Sequence, residues 1–450
     1  MSRFIIAGAG HGGLVAARAL ALAGHTVEVV EQKAEPDLGY DWTDVIEPHI
    51  CSRNGFGDPP EASFSTAHWN TLLGPSKSAP KRPPMRDCRE KHIWRKELVG
   101  LLIAGCKDAG VVFHFGTALQ GPLMEGNRAV GVRATQNGGA IEFRGDMVID
   151  AAGGLSPIRR NLPESCLVPR ELGYGQVFYC WRGFFERRPG EDPQDLFKTY
   201  LYHMGRKGIS WVIADPEYMD VLIGSMEAPL SESEIARALG DLRADNPLLG
   251  EGLLHGGYGA TIPVRRPLAV MVADGYAAVG DSAAMADPFG GSGINLAMNM
   301  GTLLAKVLLE ECCSDGDFSA ARLWSYQFRF FTGCPPAEFA EGVGAKRAEK
   351  KAETDILKCF MMSLTPAEVD LLFDRNIISV ELVFLGGEMG PKDAAKMALR
   401  NLDHIGLLMK LAKMLNASEK MKQITRRIPK AYDREAVAEW AGEYEGFGPF

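Results

Sequence analysis

The sequence predicts an α/β protein: a Rossmann-like nucleotide-binding unit, a β-rich middle section and a helical C-terminal region. Three observations carry that prediction. A glycine turn between an apolar strand and an alanine-rich helix opens the chain in "RFIIAGAGHGGLVAARALALAGHTVEVVEQK" (3–33). A second strand, glycine turn and helix return in "VGDSAAMADPFGGSGINLAMNMG" (279–301), and aromatic and β-branched runs fill 175–227 between them. The 450 residues are 46% hydrophobic and 24% charged, the balance of a globular protein with room for two or three cores.

In the first stretch, Phe4 to Ala7 read as a buried parallel strand, Leu14 to Ala23 as a helix stopped by Gly24, and Thr26 to Val30 as a second strand closed by Glu31. Gly8, Gly10 and Gly13 fit G-x-G-x-x-G. The first glycine allows a tight turn, the second lets a pyrophosphate approach the backbone, and the third lets the helix pack on the strand. The helix N-terminus then faces the phosphates. Glu31, 23 positions after Gly8, is placed to accept hydrogen bonds from an adenosine ribose, and its charge disfavours a 2′-phosphate. His11 reads as a phosphate-side loop residue. This fingerprint predicts a dinucleotide and by itself fits NAD and FAD alike.

Residues 38–94 read as a loop insertion with proline-rich tracts, "GDPPEA" and "GPSKSAPKRPPMRD". Tyr40, Asp41 and Asp44 follow the second strand; the two aspartates are expected to cap a helix or turn, with an approach to substrate at Tyr40 and Asp44 as the other reading. Arg95 opens a helix with an apolar stripe at Leu98, Leu101 and Leu102, either as a solvated residue or as a cation for a phosphate. A strand follows at Val111 to Phe115. A hairpin pairs 128–135 with 140–144 across "NGG", and the buried strand Met147 to Asp150 ends at the turn "AAGGLSPIRR". The aromatic runs in 175–227 fit a sheet core or an apolar substrate wall. Residues 231–254 are expected to return to helix, Ile294 to Leu309 to form a long helix, and the chain beyond 302 to be mostly helical, with breaks at "GCPPAEF" and "SLTPAEV".

Charge and cysteine usage narrow the class. A formal charge of −8 argues against a nucleic-acid partner. The nine cysteines are scattered without C-x-x-C spacing, as expected of reduced thiols in a cytoplasmic protein, and no metal-ligating pattern is read. No stretch reaches the ~18 apolar residues of a membrane span. Leu407 to Lys430 combines leucine and methionine at helical spacing with seven basic residues and one acid, which suits a core helix with a solvated face or, alternatively, peripheral membrane contact.

Taken together, "GAGHGGL…VEVVEQK", "VIDAAGGLSPIRR" and "VGDSAAMADPFGGSGINLAMNMG" resemble three separated motifs of the FAD-dependent oxidoreductases of the aromatic-hydroxylase fold group. The resemblance implies an FAD stretched between two helix N-termini. It places Asp281 at the ribityl or pyrophosphate region, Gly291, Gly293, Ile294 and Asn295 along the flavin edge, and Arg95 near the phosphates. It also implies cofactor contacts at Ala9, Gly12, Gln32, Ala118, Gly153, Gly280 and Pro288. Ala152 stands where the family has an aspartate, which weakens any second pyridine-nucleotide contact there. The implied division is 1–170 as the first part of the FAD-binding domain, 171–256 as a β-rich substrate domain, 257–325 as the second part, and 326–450 as the helical region.

Within that group the chain is most similar to the geranylgeranyl reductases, through "GISWVIADPEYMDVLIG" (208–224), from which Trp211 carries over as a substrate-side residue. Ile209 and Ile213–Ala214 depart from the family pattern, and its cysteine has no clear match, Cys51 lying late. The resemblance implies a reductase that transfers a hydride from reduced flavin to a carbon–carbon double bond of a prenyl or lipid-like substrate. The alternative is a monooxygenase of a hydrophobic or aromatic substrate, on the same fold. A halogenase would need Trp at 209 and Pro at 214, an electron-transfer flavoprotein–quinone oxidoreductase a cysteine cluster that the C-terminal third lacks, and an FAD-bearing scaffold no catalysis. The electron donor is NAD(P)H or a ferredoxin; the catalytic proton donor and the oligomeric state are not assigned by the sequence.

Overall fold

The opening run folds as its pattern requires: β1 (Arg3–Ala7), α1 (His11–Leu22) and β2 (Thr26–Val30). The structure is a computed structural model describing residues 1–65, 70–82, 91–173, 175–333, 347–375 and 401–448. Parts of the expected insertion loops, most of "GCPPAEF" and residues 376–400 lie outside the described residues. In the insertion come β3 (Thr43–Ile46), α2 (Ile50–Arg53), β4 (Phe64–Ser65), β5 (Asn70–Leu73) and β6 (Lys91–Trp94). Next follow α3 (Arg95–Asp108), β7 (Val112–His114), β8 (Thr117–Glu125), β9 (Arg128–Gln136), β10 (Gly139–Arg144), β11 (Met147–Asp150) and α4 (Pro157–Arg160).

The aromatic section forms β12 (Val177–Arg187), β13 (Phe197–Leu201), β14 (Ile209–Ala214) and β15 (Tyr218–Ser225). After it come α5 (Glu232–Asp245), β16 (Leu249–Pro263), β17 (Val272–Ala273), β18 (Tyr276–Ala278) and α6 (Ile294–Val307). The remaining described helices are α7 (Ala320–Thr332), α8 (Arg347–Ser363), α9 (Pro366–Asp374), α10 (Ile405–Arg426) and α11 (Arg434–Gly446).

The first sheet runs β17-β18-β11-β1-β2-β7, parallel except for the β17–β18 pair. Phe4, Ile5 and Ile6 are fully buried, as a central parallel strand covered on both faces demands. Two distant parts of the sequence thus share one sheet. The helices that follow them, α1 and α6, touch through their backbones. A Cβ on Gly301 would stand 2.2 Å from the Gly12 carbonyl oxygen, and one on Gly12 would stand 2.6 Å from that of Ala297. This contact brings the two glycine turns side by side.

The second sheet runs β16-β12-β15-β14-β13-β5. Its strands alternate: Met219, Val221 and Ile223 face α5, packing with Ala238 and Leu242, while Tyr218, Leu222 and Met226 pack with Phe178, Phe184 and Trp42 on the opposite face. Helix α5 starts on a capping box at Ser231 and Glu234 but ends at Asp245, not near 254 as expected. Pro247 disfavours helix for Asn246 before it, and Leu249 already begins β16, which pairs along β12. A division at 256 would cut that strand. The insertion also contributes structure the sequence hid, since β5 pairs in parallel with β13 and β3 pairs with β6.

In α10 the stripe is core: Leu407, Leu411, Met414 and Met421 are buried. Several of its cations pair inside the protein, Lys410 with Glu368 and Arg426 with Glu349. Among the described residues no helix is long and apolar enough to cross a membrane.

Candidate active site

Between the two sheets lies a cleft of about 790 Å³. Its walls include Gly10 and Gly12 of the first glycine turn, Gly153 of the second, and Gly280, Asp281, Gly293 and Ile294 of the third. Three motifs, from Gly10 to Ile294, therefore meet in one cavity. Gly8 takes a left-handed φ of 89° that an L side chain rarely adopts, and its N–H donates to the Val30 carbonyl (2.8 Å). Gly13 packs against Ile6 and Ala151.

The Glu31 carboxylate holds the turn from below, accepting the Ala9 N–H (2.9 Å) and the Lys33 N–H (2.9 Å). The Thr117 N–H donates to the Glu31 carbonyl (2.9 Å), which puts Ala118 and the exposed Gln32 at this same end of β2.

The second and third turns are joined by a residue the sequence reading passed over. Asp150, fully buried at the end of β11, accepts from Ser282 Oγ (2.9 Å), Ser156 Oγ (2.6 Å), Tyr276 O–H (3.0 Å) and the Ala152 N–H (3.1 Å). Burial raises its pKa, and these donors oppose the rise. Ser282 Oγ also accepts the Gly153 N–H (2.9 Å).

A polar cluster closes the flank beside α1. Arg95 forks onto Asp44, with Nη2–Oδ1 at 2.5 Å and Nε donating to the other oxygen, and its guanidinium lies 4.8 Å over the Tyr40 ring. Asp44 lies in β3 and caps no helix, which corrects that expectation. Arg95 lines the cleft, as a cofactor-side residue would, and is ion-paired to Asp44. Asp41 instead faces His255 (3.2 Å). His11 also lines the cleft, its Nε2 buried and without a hydrogen-bond partner. Burial first, then the Arg95 charge, lower its pKa to about 4 against the opposing pull of Asp44, so the imidazole is neutral. No hydrogen bond from the described residues reaches the Asp281 carboxylate, whose pKa burial pushes up despite Arg95.

An extended dinucleotide fits this cradle: glycines that leave backbone exposed, two helix N-termini, an acid at the adenosine end, and an orphaned imidazole nitrogen in the wall. Asn295 stands apart from it; its Oδ1 accepts the Glu47 N–H (3.1 Å) and so ties α6 to the insertion. Among the described residues no cluster of side chains has the make-up of a metal site.

A second cavity of about 710 Å³ is apolar, with Phe178, Trp211, Met226 and Pro288 in its walls. It shares Ile262 and Gly291 with the first. Tyr40, expected on the substrate side, lines the first cleft instead, stacked on Trp42 (5.0 Å, 28°).

Trp211 is held from behind by Arg182, whose guanidinium lies 5.4 Å over its ring. Arg182 forks onto Asp220 (2.8 and 2.6 Å) and donates to the Thr43 carbonyl (2.6 Å) and Thr43 Oγ1 (2.9 Å). One buried cation thereby fixes the second sheet to β3. The sequence carried no sign of this pair, because its members lie on separate strands.

Residues 4–154 match the model of the FAD dependent oxidoreductase family. A digeranylgeranylglycerophospholipid reductase of Sulfolobus acidocaldarius is 29% identical over 309 residues, covering 66% of this chain and 64% of that protein. A second reductase of that name, from Methanopyrus kandleri, is 26% identical over 339 residues, covering 72% and 81%. The matched region thus spans 64% of the length of the first of these relatives. Among solved structures, a geranylgeranyl bacteriochlorophyll reductase-like protein from Thermoplasma acidophilum superposes with a TM-score of 0.69 at 20% identity, over 92% of this chain and 99% of that one. A myxobacterial chondrochloren halogenase, an FAD-dependent enzyme, gives 0.60 at 18% identity, over 98% and 96%. These two share the fold.

Proposed function

We propose that this FAD-dependent oxidoreductase of the geranylgeranyl reductase group saturates carbon–carbon double bonds of a prenyl or similarly lipid-like substrate. One observation carries the reading: the cofactor cleft and the apolar cavity share a wall at Ile262 and Gly291. A molecule in the second cavity therefore lies against whatever occupies the flavin end of the first.

Bound and reduced, FAD supplies a hydride for the double bond. Residues of the chain would do the rest. Gly8, Ala9, Gly10, Gly12 and Gly13 would present the backbone to the pyrophosphate, Glu31 the ribose acceptor, and Gly153, Gly280, Asp281, Gly291, Gly293 and Ile294 the far end. His11 would offer its free Nε2 to the cofactor. Trp211, Phe178 and Met226 would exclude water from the double bond, and the Arg182–Asp220 pair would keep Trp211 in place. Peripheral membrane contact belongs to the same proposal, because Leu402, Ile405 and Met409 stay exposed around the start of α10. Failure to co-sediment with both anionic and neutral vesicles would remove that part.

The test is anaerobic. The purified protein should show flavin absorbance, and after dithionite reduction it should add two hydrogens per double bond to a twenty-carbon prenyl alcohol, read by mass spectrometry. Absence of flavin after reconstitution refutes the central claim. In a parallel assay in air, oxygen uptake that depends on substrate and leaves an oxygen atom in the product would replace the reductase with a monooxygenase.

A further inference from the structure

His11 is the first residue of α1, at the helix end whose N–H groups are offered to an anion. Its ring lines the cofactor cleft, and its Nε2 is buried without a hydrogen-bond partner. Such an unmet nitrogen is costly, and a group that enters the cleft can meet it. The neutral ring has one donor and one acceptor nitrogen; the imidazolium donates from both and carries a charge.

The charges around His11 leave a place for one more cation. Arg95 of α3 is the one cation among the described residues that line the cleft, and it is forked onto Asp44 of β3. Asp281, in the third turn, adds a carboxyl group to the same wall, with burial pushing its pKa up. Glu31 lies beneath the first turn, its carboxylate accepting the Ala9 and Lys33 N–H groups. Tyr40 lies under the Arg95 guanidinium, and burial raises its pKa, so it stays neutral. The charge of Lys351 on α8 acts on Asp281. A diphosphate diester is a dianion, and taking it out of water is expensive unless hydrogen bonds and opposite charge meet it. The helix end supplies the hydrogen bonds. The Arg95–Asp44 pair supplies no net charge.

On the reading of this cleft as the FAD site, we propose that His11 takes up a proton as the diphosphate binds and becomes its counter-cation. The proton passes from solvent to the imidazole, and no covalent bond of the cofactor is made or broken. In the flavin-free protein, burial and then the Arg95 charge lower the pKa of the ring to about 4, against the pull of Asp44. An adjacent anion raises the pKa of an imidazole. Between those two values the complex holds a proton that the flavin-free protein does not. Acidification through that window tightens FAD binding by up to about tenfold per pH unit. Above it, the same site holds FAD without the added charge.

The test is calorimetry of FAD binding to the flavin-free protein from pH 5 to 8, in buffers of different ionisation heat. The dependence of the measured heat on the buffer counts the protons. The wild type should take up as much as about one proton at the acid end, and its affinity should fall with rising pH until the uptake ends. His11→Gln keeps a donor without charge; it should bind FAD with no uptake and an affinity that is flat in pH. His11→Lys carries a fixed cation and should bind more tightly than His11→Gln, again with no uptake. In wild-type protein with nitrogen-labelled histidine, one ring should change from imidazole to imidazolium when FAD is added at the acid end. That spectrum reads the same event even where a variant fails to fold. FAD binding without proton uptake by the wild type, uptake retained in His11→Gln, or no histidine ring changing charge would overturn the role of His11 alone. Failure of the wild type to bind FAD at any pH would overturn the cofactor reading of the cleft with it.

Discussion

His11 heads α1 as a neutral imidazole in a wall shared with Arg95, with the charge of Asp44 close enough to act on it. Its pKa falls from 6.5 in the unfolded chain to about 4 in the folded one. Between those values the unfolded state binds the proton and the folded state does not, so stability contributed by this residue is present above pH 6.5 and drains away as the pH falls towards 4. Replacing it with glutamine should remove that loss, a difference of up to about 3 kcal/mol between the two proteins at pH 4. Urea midpoints of the flavin-free forms from pH 4 to 7.5 measure it; parallel curves would show that another group governs the acid limb. The sequence displayed His11 inside a motif, but not its neighbours. Asp44 and Arg95 reach it only through the pairing of β3 with β6, and such tertiary neighbours leave no periodic trace in the chain.

Elements with strong local signals were legible almost to the residue: β2 and β11 have the bounds their apolar runs suggest, and the "NGG" turn closes the hairpin of β9 and β10 with left-handed φ at Asn137 and Gly138. Those defined by a partner were not. β5 has four residues and exists because β13 offers an edge, and β16 was hidden by a helical pattern that Pro247 stops. Two glycines test how closely the elements fit. Gly301→Ala sets a methyl 2.2 Å from a backbone oxygen that cannot move without shifting α1. It should cost about 1–3 kcal/mol and lower the temperature at which flavin is released. Gly224→Ala places a methyl 1.9 Å from the Phe178 ring, which lines the apolar cavity and has to shift. Flavin content should be kept while binding of a prenyl alcohol weakens, read by tryptophan quenching. Retained affinity would mean that Phe178 relaxes elsewhere.

At the scale of the whole molecule, the two glycine loops explain each other: the contact of α1 with α6 sets the second beside the first, and both line one cleft. That sheet joins residues remote in the chain. β11 ends at Asp150, and the strand that covers its outer edge, β18, starts at Tyr276. A ribosome adding about 5–20 residues per second takes about 6–25 s to make the segment between them. Throughout that time the buried strand Met147 to Asp150 has an open edge, the surface that invites pairing with another chain. The second sheet, whose last strand ends at Pro263, is complete before the closing strand is made. A chain stopped at residue 265 should therefore pellet on ultracentrifugation and bind no flavin, whereas one extended past Gly301 should gain solubility. In the order of synthesis, the first sheet is begun before the second and closed after it.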